Sequence, residues 1–230
     1  MKRPMRYVRN GLIINEDDQI KLKKSKVCIL GCGGLGGYTI EMFARTGVGN
    51  IKVIDGDVFD ETNWNRQLLS NHKNLGKSKA KAAKERVKII NDEIQIDGIC
   101  EFINKSNVEK HLKGCDLVVD GLDQIIVRKM VVESCKKLKI PYIYGAIAGW
   151  YGQVATIMPD DKILDLIYRT DLNRGEEVHL GNPSFTPPLV ASFQVSESIK
   201  YLLGKGDLLT NGFIHIDLLC NEIEKIHFDK

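Results

Sequence analysis

Short apolar runs alternate with longer amphipathic stretches along most of the chain. The apolar runs show little polar alternation, which is typical of parallel strands that are buried on both faces of a sheet. The apolar runs predict strands at residues 27–30, 51–54, 94–100, 116–120, 142–144 and 153–158. The amphipathic stretches predict helices at residues 16–24, 78–91, 106–113, 124–138 and 190–203. Residues 213–217 and 222–228 alternate and predict an antiparallel pair. The predicted fold class is therefore α/β, a Rossmann-like, doubly wound, mainly parallel sheet with an antiparallel C-terminal strand extension.

A glycine-rich turn follows the first predicted strand. Residues 31–36 read GCGGLG, which fits G-x-G-x-x-G. The glycines permit a tight turn, a close approach of backbone to phosphate, and packing of the next helix on the strand. That helix is predicted to end at Gly47, and its N-terminus favours an anion. Asp55 ends the second strand roughly twenty positions after Gly36, where an acid usually contacts a ribose hydroxyl. This context favours a bound nucleotide over a purely structural turn and leaves NAD, FAD and ATP open.

Four further features carry candidate chemistry. Residues 57–71 are polar and irregular, and the helix at 78–91 is strongly basic, with most of its lysines predicted to face solvent. Its predicted buried stripe consists of Ala80, Ala83, Val87 and Ile90. Asp123 stands just past a strand end, where ligands bind in open α/β sheets, and an N-cap of the helix at 124–138 explains it equally well. Residues 159–188 form a long stretch of weak periodicity, which is typical of a segment that binds or moves.

Composition excludes several classes of protein. The chain has 230 residues and a net charge of +3, which is too small to indicate nucleic acid. No signal peptide is recognised, and the longest uncharged run, residues 141–159, predicts strand, turn and strand rather than a membrane span. The six cysteines show no zinc-site spacing, so buried, reduced thiols of a cytoplasmic protein are expected. Cys32 is the candidate for a reactive thiol, because it lies in the glycine turn and a helix N-terminus can lower the pKa of a thiol.

Four motifs in order resemble the ThiF/MoeB/HesA family, bacterial relatives of ubiquitin-activating enzymes. They are GCGGLG, RTGVGNIKVIDGDVFDETNWNRQ, LGKSK and VVDGLD, and the resemblance runs from about Arg6 to the C-terminus. The glycine turn is generic, whereas N-x-x-R-Q followed by G-x-x-K is far more specific. The resemblance implies a single adenylation domain over residues 1–230. Its parts are an N-terminal arm and helix (1–25), a nucleotide-binding core (26–158), a crossover and carrier-binding loop (159–189), and a C-terminal helix and strands (190–230).

The resemblance also implies an activity and a site. The family adenylates the C-terminal carboxylate of a ubiquitin-like sulfur-carrier protein of the ThiS/MoaD kind, with ATP and Mg²⁺, and releases pyrophosphate. Asp123 would hold Mg²⁺, and Arg9, in the segment RYVRN, would reach ATP from the partner subunit of a homodimer. The nucleotide-binding and catalytic residues would be Gly31, Gly33, Gly34 and Gly36 at the turn, Asp55 and Asp57 at the ribose, and Arg66 and Lys79 at the triphosphate, supported by Asn63 and Gln67.

The chain departs from the family pattern in three ways. The two C-x-x-C pairs that hold structural zinc in many members are missing, so no zinc is predicted. The late crossover stretch HLGNPSFTPP has no cysteine, so the reaction is expected to stop at the acyl-adenylate. Asn10 replaces the usual glutamine, and Gln124 follows Asp123 where asparagine is common; both are mild changes.

Other functions remain open on the sequence. A relative in the same superfamily activates a carboxylate on modified tRNA, the threonylcarbamoyladenosine dehydratase, and NWNRQ is compatible with it. An NAD-dependent oxidoreductase would explain the glycine turn and Asp55 but not Arg66 and Lys79. A non-catalytic binding subunit is disfavoured by the presence of Arg66, Lys79 and Asp123 together.

Overall fold

The structure, a computed structural model, describes residues 4–168 and 175–228. The helices are α1 (Glu16–Lys24), α2 (Gly34–Thr46), α3 (Lys79–Ile90), α4 (Val108–Leu112), α5 (Ile125–Leu138), α6 (Ile163–Ile167), α7 (Glu177–Leu180) and α8 (Thr186–Leu203). The strands are β1 (Lys26–Leu30), β2 (Asn50–Ile54), β3 (Gln95–Ile99), β4 (Leu117–Asp120), β5 (Tyr142–Ala148), β6 (Tyr151–Ile157), β7 (Gly212–Asp217) and β8 (Glu222–His227). Short 3₁₀ helices cover Met5–Asn10 and Glu61–Asn63.

All eight strands join one sheet in the order β3-β2-β1-β4-β5-β6-β7-β8. The first five of these strands pair in parallel, whereas β6, β7 and β8 are antiparallel to their neighbours. The predicted fold class is confirmed. The antiparallel part begins one strand earlier than the predicted edge pair, because β5 and β6 extend into a hairpin around Gly149 and Trp150.

Helices cover both faces of the sheet. Residues of α1, α2, α3 and α8 contribute to one buried cluster, which holds Ile29, Phe43, Val53 and Ile143. Residues of α4, α5 and α6 contribute to a second cluster on Leu30, Val118 and Tyr144. Burial on both faces explains why the strands read as continuous apolar runs. The predicted stripe of α3 is confirmed, since Ala80, Ala83 and Val87 are fully buried and Ile90 is partly buried.

Capping residues explain the ends of some helices. Asn15 and Asp18 form a capping box at the start of α1, and Gly47, at φ 90°, ends α2 as predicted. The N-cap reading of Asp123 was wrong, because Gln124 occupies the N-cap of α5. Asn107 is the N-cap of α4, but its side chain makes no capping bond.

The start of the last long helix was predicted too late. α8 begins at Thr186 rather than at residue 190, with Pro187 and Pro188 in its first turn. Proline is tolerated there because the first N–H groups of a helix have no intrahelical partner. The irregular segment before it holds α6 and α7, and Arg169 and Arg174 lie outside the described residues.

The structure bears on two classes that the sequence excluded, a membrane-spanning protein and a zinc protein. No helix of the described ranges is both long and apolar enough to cross a bilayer. Over residues 4–168 and 175–228, no group of three or more His, Cys, Asp and Glu side chains is arranged to hold a metal ion. The absence of zinc and the division of the chain at residues 25, 158 and 189 stay predictions.

A pair of glycine substitutions tests the packing of α2 on β1. A Cβ at Gly36 would lie 1.8 Å from the carbonyl oxygen of Gly31, whereas a Cβ at Gly37 would lie 3.5 Å from Leu69, an ordinary contact. We expect Gly36→Ala to lower the free energy of unfolding by about 2 kcal/mol or more, because backbone must move. Gly37→Ala should leave it unchanged or raise it by roughly 0.5–1 kcal/mol, because alanine favours the helix. Urea unfolding measures both, and equal effects would contradict the packing.

Candidate active site

A cleft of about 1280 Å³ opens at the carboxyl ends of the parallel strands. It lies where the strand order reverses, with β2 on one side of β1 and β4 on the other. This reversal point is where open α/β sheets bind ligands. The lining residues include Gly31, Gly33, Gly34, Asp55, Asp57, Asn63, Arg66, Gln67, Lys79 and Asp123. The structure therefore brings ten of the twelve predicted site residues to one cavity.

The glycine turn is tightly enclosed between neighbouring strands. Gly31 has φ 89°, and a Cβ there would lie 2.4 Å from the carbonyl oxygen of Gly121, at the end of β4. Gly36 packs against the turn rather than lining the cleft. The N-cap of α2 is Gly33, which brings no capping side chain, so the first N–H groups of this helix face the cleft without a protein cap. Such a helix start is suited to a phosphate.

The Asp55 carboxylate connects the glycine turn to the segment after β2. Its Oδ2 accepts a hydrogen bond from the Cys32 N–H at 2.6 Å, and its Oδ1 accepts one from the Asp57 N–H at 2.8 Å. Burial raises the pKa of Asp55, and the two N–H donors and the Lys79 ammonium act in the opposite direction. These bonds orient the carboxylate at the edge of the cleft, where a ribose hydroxyl could donate to it.

Lys79 is a buried cation at the start of α3. Its Nζ lies 3.2 Å from Asp57 Oδ2, and its N–H donates to the Asp57 carbonyl at 3.0 Å. An isolated bridge between Val58 and Ser78 holds the two segments together. Lys79 is 7% exposed, whereas Lys81, Lys84 and Lys88 face solvent as predicted for the basic helix. Burial beside a carboxylate directs the Lys79 charge into the cleft.

The polar segment after β2 is more ordered than its sequence indicates. Asp60 caps the 3₁₀ helix, and Asn63 Oδ1 accepts from the Asp60 N–H at 3.1 Å. Phe59 and Leu69, both buried, anchor the segment in the core. Asn63 therefore has a structural role in the unliganded chain, since its side chain closes this turn.

Arg66 and Gln67 extend from this segment toward the cleft. Arg66 Nη1 donates to the Thr62 carbonyl at 2.8 Å and to Asn65 Oδ1 at 3.1 Å, both neutral acceptors. Among the described residues no carboxylate pairs with it, so its charge is not neutralised by a neighbour. Gln67 is buried beside Gly33, and its Oε1 has no hydrogen-bond partner in the described ranges. A buried acceptor without a partner is costly, and a bound ligand would satisfy it.

Asp123 and Arg9 differ in their relation to the cleft. Asp123 is exposed and lines the cavity in the loop between β4 and α5. Arg9 is exposed on the N-terminal 3₁₀ helix and does not line the cavity of its own chain. Arg6, in the same 3₁₀ helix, donates hydrogen bonds to Asn91 at 2.6 Å and to Glu93 at 2.9 Å. The predicted role of Arg9 therefore depends on a second subunit.

One buried charged group was missed by the sequence analysis. Arg128, on α5, is 7% exposed and lies 2.9 Å from Asp120 Oδ2, and Asp120 is fully buried. The contact is an ion pair without well-aligned hydrogen-bond geometry, since neither atom otherwise meets a partner. Burial raises the pKa of Asp120, and the Asp120 carboxylate raises the pKa of Arg128 against the effect of burial. The only available signal was an arginine within an amphipathic helix, which usually indicates a solvated face.

The cysteines correct one expectation. Cys28, Cys32, Cys115 and Cys135 are buried, but Cys100 and Cys220 are exposed. Burial raises the pKa of the Cys32 thiol well above its ordinary value, and the Asp55 carboxylate adds to the shift. The proximity of the helix N-terminus does not activate this thiol, because it is fully enclosed.

Comparison with known proteins agrees with this geometry. The family model described as the ThiF family matches residues 7–230. The sulfur carrier protein ThiS adenylyltransferase of Bacillus subtilis is 31% identical, over 87% of this chain and 61% of its own length. The molybdopterin-synthase adenylyltransferase of Haemophilus influenzae is 29% identical, over 96% of this chain and 93% of its own length. The tRNA threonylcarbamoyladenosine dehydratase of the same organism is 35% identical, over 62% of this chain and 54% of its own length.

A solved structure supports the fold alone. The crystal structure of E. coli MccB with AMPCPP and selenomethionine MccA superposes with a TM-score of 0.85 at 24% identity, covering 100% of this chain and 73% of that one. The fold and the cleft define a nucleotide-binding α/β protein. The chain belongs to the ThiF family, as the four sequence motifs predicted, and the named relatives identify its enzyme class as an adenylyltransferase.

Burial of the thiols generates a prediction for chemical labelling. At pH 8 the native protein should react rapidly with a thiol reagent such as DTNB at Cys100 and more slowly at Cys220, where the Asp217 carboxylate raises the pKa of the thiol. The other four thiols should react after unfolding in denaturant. Cys100→Ser should remove the fast phase. Rapid labelling of Cys32 in the folded protein would contradict the enclosed turn.

Proposed function

We propose that the chain activates the C-terminal carboxylate of a ubiquitin-like sulfur-carrier protein as an acyl-adenylate, with ATP and Mg²⁺ and with release of pyrophosphate. One observation carries the proposal. A single cleft joins a phosphate-suited turn at Gly31–Gly34, an oriented acid at Asp55, and two cations at Arg66 and Lys79. An NAD-dependent oxidoreductase would need the turn and the acid but would leave the two cations unexplained.

The residues present fit ATP. The uncapped start of α2 suits phosphate oxygens, and Asp55 is held at the position of a ribose ligand. Gln67 Oε1, buried and without a partner among the described residues, lacks a donor that a bound molecule could supply. Arg66 and Lys79 approach from a separate segment, as phosphate binding requires where no Walker A motif is present.

The donor set also fits magnesium. Mg²⁺ in nucleotide sites is usually bound by one or two carboxylates together with substrate phosphates and water, and Asp123 supplies a carboxylate at the cleft. When bound, the ion contributes positive charge that neutralises the triphosphate oxygens.

The reaction needs positioning and charge neutralisation more than proton transfer. An oxygen of the carrier's terminal carboxylate attacks the α-phosphorus, and the bond from that phosphorus to the bridging oxygen of pyrophosphate breaks. The nucleophile is already ionised at neutral pH, so no general base is required. Arg66 and Lys79 offset the repulsion between two anions and stabilise the charge on the departing pyrophosphate. The glycine turn and Asp55 hold the nucleotide in line for the attack.

The crossover segment supplies a wall of the cleft opposite the glycine turn. Tyr168, Gly175, Glu176, Leu180 and Asn182 line the cavity there. Asn65 Nδ2 donates to the Asn182 carbonyl at 3.0 Å, which connects this wall to the segment that bears Arg66. The cleft of about 1280 Å³ leaves room for a peptide tail beside a nucleotide. We propose that the carrier's C-terminus enters here and that the chain acts as a homodimer, with Arg9 reaching the nucleotide of the partner subunit.

A tRNA substrate is the second candidate. A tRNA threonylcarbamoyladenosine dehydratase is among the relatives, and Lys81, Lys84 and Lys88 present an exposed basic face on α3. Binding of tRNA would weaken steeply with salt, because neutralised phosphates release counterions. Binding of a small protein through its tail would depend far less on salt, so a titration at two ionic strengths separates the two substrates.

Thermal melting with Mg·ATP and, separately, with NAD tests the nucleotide. At a hundred times the dissociation constant, a ligand adds about 2.7 kcal/mol to the free energy of unfolding. We expect Mg·ATP to raise the melting temperature and NAD to leave it unchanged. Stabilisation by NAD alone would overturn the proposal.

Substitution of Arg66 tests the role of the cations. We expect Arg66→Ala to weaken Mg·ATP binding about tenfold, the loss of one charge-assisted contact, and to leave AMP binding within about twofold. Pyrophosphate release with a carrier should fall by about 100-fold or more. Lys73→Ala is the matched control, since it removes an exposed positive charge from the same segment outside the cleft. Unchanged pyrophosphate release in folded Arg66→Ala would remove this residue from the mechanism.

A further inference from the structure

Arg128 is a buried cation that contacts four separate parts of the fold. Its Nε lies 2.9 Å from Asp120 Oδ2, and its Nη1 donates to the Tyr168 hydroxyl at 2.6 Å. Its Nη2 donates to the carbonyl oxygens of Leu122 and of Gly145, the latter at 3.2 Å. Three of these contacts are hydrogen bonds and the fourth is an ion pair, so the protein itself holds Arg128 on several sides at the wall of the cleft. A buried ion pair rarely adds net stability over apolar residues, which makes a positional role the better explanation.

Both members of the ion pair contact the backbone of one residue, Leu122. The Leu122 N–H donates to Asp120 Oδ1 at 2.9 Å, while the Leu122 carbonyl accepts from Arg128 Nη2. The two members of the ion pair therefore hold both polar groups of Leu122. The next residue is Asp123, whose side chain reaches the cleft from this loop.

We propose that the Asp120–Arg128 pair positions the Asp123 carboxylate for magnesium by holding the loop at residues 121–124. This inference rests on the proposed function. We assign Arg128 a positioning role, because its hydrogen bonds and its ion pair in the described ranges are all with the protein and the effect on Asp123 would pass through Leu122. Only a planar, forked cation reaches acceptors on β4, the loop and β5 together, and a lysine ammonium cannot span them.

The proposal predicts that a substitution of Arg128 affects the Mg²⁺-dependent binding of ATP and spares the Mg²⁺-independent binding of AMP. AMP would contact the glycine turn and Asp55, which form no hydrogen bond with Arg128 in the described ranges, whereas ATP with Mg²⁺ would also depend on Asp123. Arg128→Lys keeps the buried charge and loses the fork. We expect it to weaken the apparent affinity for Mg²⁺, measured at saturating ATP, by about tenfold, because a carboxylate held loosely is a poorer ligand. Affinity for AMP in EDTA should change by less than twofold.

The experiment is a magnesium titration monitored by thermal melting in the presence of ATP. It compares the unmodified chain with Arg128→Lys, Asp123→Ala and the double variant. If Arg128 acts through Asp123, adding Arg128→Lys to Asp123→Ala should cause no further loss of Mg²⁺ affinity. Val131→Ala is the control, because Val131 is fully buried on the same helix, one turn further on. It should lower the melting temperature and leave the Mg²⁺ affinity unchanged.

Several outcomes would overturn the inference. Equal losses of AMP and Mg·ATP affinity in Arg128→Lys, or additive losses in the double variant, would show a structural role alone. Should Arg128→Lys fail to fold, Tyr168→Phe removes one of its anchors, and it should weaken Mg²⁺ binding by about twofold with AMP unaffected; no change would count against the proposal. Absence of Mg²⁺-dependent ATP binding in the unmodified chain would instead overturn the proposed function, and this inference with it.

Discussion

The contact between the end of β1 and the end of β4 is the constraint on which the site depends. A Cβ at Gly31 would lie 2.4 Å from the Gly121 carbonyl, so the two loops touch through backbone alone. The Gly31 N–H donates to the Ile54 carbonyl, and the Gly121 N–H donates to the Leu30 carbonyl. Each turn is thereby attached to the end of a neighbouring strand. A side chain at either position would separate the walls of the cleft and move the start of α2 away from Asp55.

The acids around the cleft are each held by a different kind of partner. Asp55 accepts two backbone N–H groups, Asp57 faces the Lys79 ammonium, and buried Asp120 faces Arg128. The buried pair of Asp120 and Arg128 contributes orientation more than net stability. The three pairings fix where negative charge lies before an anionic nucleotide enters, and they leave Arg66, bound to neutral oxygens, as a cation directed at it.

The wall of the cleft beside the glycine turn is not arranged for maximum stability. The start of α2 has no capping side chain, and the buried Gln67 Oε1 has no partner among the described residues. Each of these costs free energy in the absence of a ligand. Natural proteins tolerate such costs where function needs them, and here both lie on the wall where the proposed nucleotide would bind.

The sequence by itself determined the class of fold, most element boundaries and ten of the residues that line the cleft. The signals in the sequence are local: the spacing of apolar residues, the positions of glycines and an acid after a strand. The helix and strand geometry that they encode is local as well. Only the tertiary structure decided that Lys79 is buried, that Cys100 is exposed, and that Arg128 is an internal cation. The partners of Arg128 come from β4, the following loop, β5 and the residue after α6, and those on β5 and after α6 lie 17 and 40 positions away. No local periodicity encodes such a meeting, because it arises from packing α5 against the sheet.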